Sequence, residues 1–191
     1  MATIFCYSST GNSLYTAKKI SEEIGADLKS MTSQITKIDD DCIGFIFPCY
    51  YWGLPLRVKE FINNLEITNK NAYVFTIITY GSTIMGIQGL VNNLLKKKGL
   101  KLSYGKKIKS VENYILTFKV NNTEFIFNNS DRLINLAIDD IKSRKKNFAP
   151  PRFFCTVLYS YFSLQITLTV TVSLQYQITV QDVEYARKFV L

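Results

Sequence analysis

Residues 3–13 read TIFCYSSTGNS, and the break after residue 7 decides how the chain is organised. Residues 3–7 form a short apolar run with β-branched members, the pattern of a strand covered on both faces. A polar turn with one glycine follows, and then Leu14, Ala17, Ile20 and Ile24 recur at helical spacing until Gly25. Strand, turn and helix then repeat twice. IGFIF (43–47) leads into PCYYWG and a helix with Pro55 in its first turn and Val58, Phe61, Ile62 and Leu65 on one stripe. YVFTII (73–78) leads into TYGSTIMG and a helix carrying Ile87, Leu90, Val91, Leu94 and Leu95, stopped by Gly99.

Such alternation predicts an α/β fold, a doubly wound parallel sheet with right-handed crossovers and helices on both faces. ADLKSM (26–31) reads as a short second strand, and residues 106–118 hold a fifth. NNSDRLINLAIDDIKSRKK (128–146) reads as a closing helix with Ser130 or Asp131 as N-cap. The stretch LTFKVNNTEFIF (116–127) also reads as a hairpin turning at Asn121 and Asn122. In an open parallel sheet the ligand end lies beyond the carboxyl ends of the strands, so loops 8–13, 48–53 and 79–86 converge there.

Composition narrows the chemistry. The chain has 191 residues, 47% of them hydrophobic, with 23 Lys+Arg against 15 Asp+Glu, four cysteines and no histidine. Without histidine there is no Ser/His/Asp triad, no Cys/His dyad and no His-bearing zinc site. Cys6, Cys42, Cys49 and Cys155 stand far apart with no C-x-x-C pair, so they read as reduced thiols of a cytoplasmic protein. No apolar run approaches the roughly 20 residues of a membrane helix, and no secretory signal is visible at the N-terminus. The expectation is a soluble protein with no membrane partner.

Ser8, Ser9, Thr10, Gly11, Asn12 and Ser13 join a buried strand to a helix N-terminus, where hydroxyls and backbone amides surround an anion. No lysine stands among them and the G-x-x-x-x-G-K-[ST] pattern is absent, which favours a monophosphate over a nucleotide triphosphate with magnesium. The plain alternative is an N-cap turn rich in Ser and Thr. Pro48, Cys49, Tyr50, Tyr51, Trp52 and Gly53 set three consecutive aromatics at the same end, suited to stacking on a planar ring or to a hydrophobic staple. Thr79, Tyr80, Gly81, Ser82 and Gly86 form a third loop, whose glycines permit close backbone approach. Together these describe a site for a mononucleotide with a planar ring.

On SSTGNS and the Trp52-Gly53 pair the chain resembles the flavodoxin family from residue 2 to about residue 148. It is most similar to the variety with F-P-x-Y-x-W-G-L-P and an I-T-Y-G loop, found in anaerobes fused to a C-terminal ferredoxin-like domain. The resemblance implies a five-stranded sheet in order 2-1-3-4-5 with FMN at the switch point and residues 8–13 on its phosphate. It also implies that Tyr51 and Trp52 lie near the isoalloxazine and that the Gly53 carbonyl accepts from the reduced ring nitrogen. The fused relatives continue with C-x₂-C-x₂-C-x₃-C-P runs, whereas beyond residue 149 only Cys155 remains, too few thiolates for an iron–sulfur cluster.

The reading divides the chain into an FMN-binding domain (1–149) and a β-rich tail (150–191). Residues 163–180, SLQITLTVTVSLQYQITV, alternate apolar and uncharged polar side chains throughout. The expectation is that residues 152–180 form a ribbon pairing in a homodimer, or else a hairpin folded back on its own domain.

Of the charged residues, 20 Lys+Arg and 13 Asp+Glu precede residue 150, so most of the net charge of +8 belongs to the domain. Seven lysines between Lys96 and Lys109, and Lys142, Arg144, Lys145 and Lys146, read as helix C-terminal cations at the pole opposite the loops. No interleaved aromatics indicate nucleic acid. With no histidine and no acid in the three loops, electron transfer to a redox partner protein is favoured over dedicated substrate chemistry. An FMN-dependent NAD(P)H:quinone-type oxidoreductase and a flavodoxin-like module that has lost FMN remain as alternatives.

Overall fold

The computed structural model of the chain describes residues 1–50, 53–82, 84, 86–111 and 123–148. Five parallel strands make the main sheet: β1 (Ala2–Cys6), β2 (Asp27–Ser30), β4 (Cys42–Pro48), β6 (Tyr73–Tyr80) and β7 (Tyr104–Lys109). Their order is β2-β1-β4-β6-β7. Counting these five alone in chain order, that is 2-1-3-4-5, as expected. Two short strands unforeseen in the sequence, β3 (Lys37–Ile38) and β5 (Glu66–Ile67), pair with each other in parallel outside the main sheet.

Among the described residues four helices cover the sheet: α1 (Asn12–Ile24), α2 (Leu56–Asn64), α3 (Ile87–Lys96) and α4 (Thr123–Lys142). Val58, Phe61 and Ile62 of α2 share one core with Ile87, Val91, Leu94 and Leu95 of α3. Ala17 and Ile20 of α1 share the other with Ile134, Ala137, Ile138 and Ile141 of α4. The central strands are therefore buried on both faces, which is why they read as unbroken apolar runs. Among the described residues no helix is long and apolar enough to cross a membrane.

Five expectations are corrected. Leu14 is 40% exposed, and the sheet-facing side of α1 is Ser13, Thr16, Ala17, Ile20 and Ser21. The fifth strand starts earlier than residue 106 and ends at Lys109, and Pro55 stands just outside α2 at its N-cap. Ser130 and Asp131 do not cap α4 but lie inside it, seven and eight positions past its first residue. The Ser130 hydroxyl donates within the helix to the Ile126 carbonyl at 2.8 Å and also contacts the Lys109 carbonyl. Residues 123–127, the second arm of the hairpin alternative, are helical. The tail from residue 150 lies outside the described residues, as does all of 116–122.

The interior leaves little room for adjustment. At Gly44, in the middle of β4, an added Cβ would sit 2.3 Å from Phe75 Cζ. Gly44→Ala should therefore cost about 1–3 kcal/mol of stability through overpacking, read as a lower urea midpoint. Phe75→Leu should restore part of the loss in the double variant.

The α4 face also holds a charged cluster. Tyr104, fully buried, donates its hydroxyl to Asp140 at 2.9 Å, and Lys145 Nζ lies 2.8 Å from the same carboxylate. The Lys145 hydrogen bond, helped by Tyr104 and by the charges of Lys145 and Lys106, holds Asp140 below the usual aspartate range against the opposing effect of burial. A depressed carboxylate adds stability above its unfolded pKa, and that stability is lost as pH falls through the folded one. Asp140→Asn should lower stability at pH 7 by about 1–3 kcal/mol. Denaturation curves of wild type and variant should converge below about pH 4.

Candidate functional site

The strand order sets where the chain can bind anything. From β1 the sheet grows to β2 on one side and to β4 on the other, and α1 and α2 pack on opposite faces. The connections leaving the carboxyl ends of β1 and β4 therefore diverge, and the crevice between them is the switch point of the sheet.

Residues 8–13 cross that crevice. The turn is possible because Gly11 takes φ 96°, in the left-handed region. Gly11 is also the N-cap of α1 and caps it with no side chain, so the amides of the first turn carry the positive end of the helix dipole. The Gly11 amide donates to Ser8 Oγ at 3.1 Å. A Cβ built on Gly11 meets nothing within 4 Å, so the space above the turn is open.

Three side chains of this turn are spent on fixing it. Ser13, 1% exposed, pairs its hydroxyl with that of Thr79 at 2.7 Å, tying the first loop to the end of β6. The Asn12 amide donates to the Val111 carbonyl at 3.0 Å, which brings in a fourth connection, the one after β7. Ser9 Oγ and the Tyr50 hydroxyl are hydrogen-bonded across the crevice. Thr10 is exposed beside them.

The second loop continues β4. The Cys49 amide donates to the Thr79 carbonyl at 2.8 Å, and Tyr50 and Gly53 exchange two backbone hydrogen bonds of 3.2 and 2.7 Å. Tyr51 and Trp52, between them, lie outside the described residues. Tyr7, which the sequence reading left out of the site, stands edge-on to Tyr50 with ring centroids 6.3 Å apart. Its signal was its place as the last residue of the first apolar run. In the third loop Tyr80 ends β6, Gly81 is half-buried, Ser82 is exposed, and Gly86 takes φ 56° at the N-cap of α3.

The four connections carry no charged side chain at residues 8–13, 48–53, 79–86 or 110–111. The donors are hydroxyls and amides, chemistry that accepts an anion without a counter-charge. Beneath the turn, burial pushes the Cys6 thiol up to about 12, so it stays protonated and inert.

No family model matches the sequence, and no curated protein does. Among solved structures the chain is similar to a flavodoxin from the domain Archaea. Identity is 13%, coverage is 75% of this chain and 97% of that one, and the TM-score is 0.50. The chain has a flavodoxin-like fold. An FMN-dependent NADH-azoreductase from Bacillus anthracis, determined in complex with FMN, is similar at the same TM-score. It is 9% identical, with 73% of this chain and 98% of that one covered. On this flavodoxin-like sheet residues 8–13 and 48–50 flank the switch point, and Thr79 joins them from β6.

The Ser13–Thr79 pair makes a direct prediction about loop integrity. Ser13→Ala strands the Thr79 hydroxyl in a buried position and should cost about 1–3 kcal/mol. Ser9→Ala, at an exposed position, should stay within about 0.5 kcal/mol. A double-mutant cycle of Ser13→Ala with Thr79→Val, followed by chemical denaturation, should show a coupling above about 0.5 kcal/mol.

Proposed function

We propose that residues 1–149 bind FMN and that the protein serves as an electron carrier in a reducing, cytoplasmic setting. The observation that carries this reading is the turn at left-handed Gly11. It is open above, built of neutral donors, and seated on the switch point at the N-terminus of α1. A terminal monophosphate fits that donor set. The Ser8 hydroxyl, whose oxygen already accepts the Gly11 amide, keeps its proton to donate outward, and the amides of the first turn of α1 point the same way. Ser13 and Asn12 hold the turn in place through Thr79 and Val111.

The second and third loops supply the walls. Tyr50 stands at the mouth, held by Ser9 and Tyr7. We assign Tyr51 and Trp52 to the ring and Gly81, Ser82 and Gly86 to its far edge, following the flavodoxin resemblance. Flavin, when bound, supplies one- and two-electron chemistry. The protein's part is to orient it, to exclude water and to accept a proton's hydrogen bond at Gly53 O. That carbonyl now accepts from the Tyr50 amide at 3.2 Å, so the peptide must turn, which glycine permits at little steric cost. No histidine occurs in the chain, and loops 8–13, 48–53 and 79–86 hold no carboxylate to serve as an acid or base for an organic substrate.

Titration of flavin fluorescence should show FMN binding at least tenfold tighter than riboflavin. Gly11→Asp should abolish FMN binding by placing a carboxylate in the open space, while changing stability by only about 1–2 kcal/mol. Equal affinity for riboflavin and FMN would overturn the phosphate assignment. Steady-state oxidation of NADH by the FMN-loaded protein would make it a reductase instead of a carrier.

A further inference from the structure

Charge is divided unevenly over the molecule. No Asp or Glu occurs between Glu66 and Glu112, a span that holds Lys70, Lys96, Lys97, Lys98, Lys101, Lys106, Lys107 and Lys109. That span is β6, α3 and β7, consecutive in sequence and adjacent in space at one side of the sheet. Elsewhere six cations are answered by acids: Lys19 pairs with Asp131, Lys29 with Asp27, Lys37 with Glu66, Arg57 with Glu60, Lys142 with Glu23 and Lys145 with Asp140. Within the span only Lys106 has an acidic partner among the described residues, Asp140 of α4 at 3.9 Å.

The register of β7 places these lysines. Tyr104 and Ile108 are buried in the α4 core, and Lys106 lies between them on that face. By strand alternation Lys107 and Lys109 share the other face with Gly105, which touches Gln88 of α3. Both are exposed, as are Lys96, Lys97 and Lys101. Lys109 is paired in register with Tyr80, at the ligand edge of the sheet. The expectation that all these lysines occupy the pole opposite the loops is thus corrected: the lysine face runs the length of β7 and ends beside the site.

Two ordinary roles account for parts of this face. Lysines on an edge strand deter edge-to-edge pairing, and Lys96 complements the C-terminal dipole of α3. Neither role requires that every acid be absent from three consecutive elements. A one-sign surface leading to a charge-free site is an arrangement that steers an oppositely charged partner.

We propose that the α3/β7 edge, with Lys101, Lys107 and Lys109 at its centre, is the docking surface for an acidic partner protein. The inference rests on the proposed function only in taking that partner as the one that exchanges electrons at the site. Nucleic acid is less well matched, because the described exposed residues of α3 and β7 offer no aromatic ring for base stacking.

The test uses the full chain and a fluorescently labelled small acidic iron–sulfur protein as probe, with a small basic haem protein as counter-probe. Anisotropy should show association with the acidic probe that weakens by on the order of tenfold or more between about 20 and about 200 mM salt, as screening of opposite charges requires, and no association with the basic one. Lys101→Gln/Lys107→Gln/Lys109→Gln should weaken binding of the acidic probe about tenfold, and Lys18→Gln/Lys29→Gln/Lys59→Gln, which removes the same charge elsewhere, should not. Equal binding by the two triple variants would overturn the proposal. So would tighter, lysine-dependent binding of a single-stranded oligothymidylate at the same salt. Each titration is run with and without FMN. Failure to bind FMN while the acidic probe still binds refutes the flavin reading alone, and failure of the probe on FMN-loaded protein refutes the docking surface alone.

Discussion

Strand β4 has to be covered on both faces, and most of the molecule follows from that requirement. Cys42 to Phe47 are all buried between β1 and β6. A strand in that position needs a helix layer on each side, so the connections from β1 and β4 cannot leave on the same face. The crevice between them is a by-product of covering the core, and any ligand bound there sits over buried strands of the sheet. Gly44 shows how tightly the two layers meet, since Phe75 occupies the space where a side chain of β4 would stand.

The turn above the crevice is held by polar contacts instead of by packing. Ser13, Asn12 and Ser9 each reach a different neighbouring connection, at Thr79, Val111 and Tyr50. Only the first of these is buried, and it has the most to lose when broken, because a buried hydroxyl without a partner forfeits its hydration as well. Spending three side chains on position leaves the backbone amides of the first turn and the Ser8 hydroxyl as the donors of the turn. Such donors discriminate by geometry more than by charge. A lysine in the same turn would add attraction but would also accept many anions.

The strands β1, β4 and β6 were legible in the sequence because burial on both faces removes polar residues from them. α2 and α3 were legible for the related reason that their core stripes are aliphatic. α1 misled because its sheet-facing side is built of small polar residues. Thr16 and Ser21 hide their hydroxyls by donating to the Asn12 and Lys18 carbonyls, so they pack as small apolar groups while reading as polar ones. Ser130 misled in the same way at α4, where an interior serine bonded to Ile126 looks like a cap. β7 was misplaced because an edge strand carries half a pattern: Tyr104 and Ile108 alternate toward α4, while Lys107 and Lys109 need no cover. With the end of β7 set too late, the connection at Ser110 and Val111 could not be counted among the loops at the site.

The lysine face illustrates how a local bias in sequence becomes a surface. In a parallel sheet each strand–helix–strand unit occupies adjacent space, so β6, α3 and β7 form one side of the domain without contribution from distant segments. α4 could have balanced them, and Asp140 does so for Lys106, but it reaches only the face that α4 covers. Among the described residues no acid of α3 or β7 answers the lysines on the α3 face. With a Debye length of about 8 Å at physiological salt and alternate strand residues about 7 Å apart, Lys107 and Lys109 act on an approaching molecule together. Residues 8–13, 48–53, 79–86 and 110–111 beside them hold no charge of their own, so among these residues and β7 the lysines set the field that a charged partner meets.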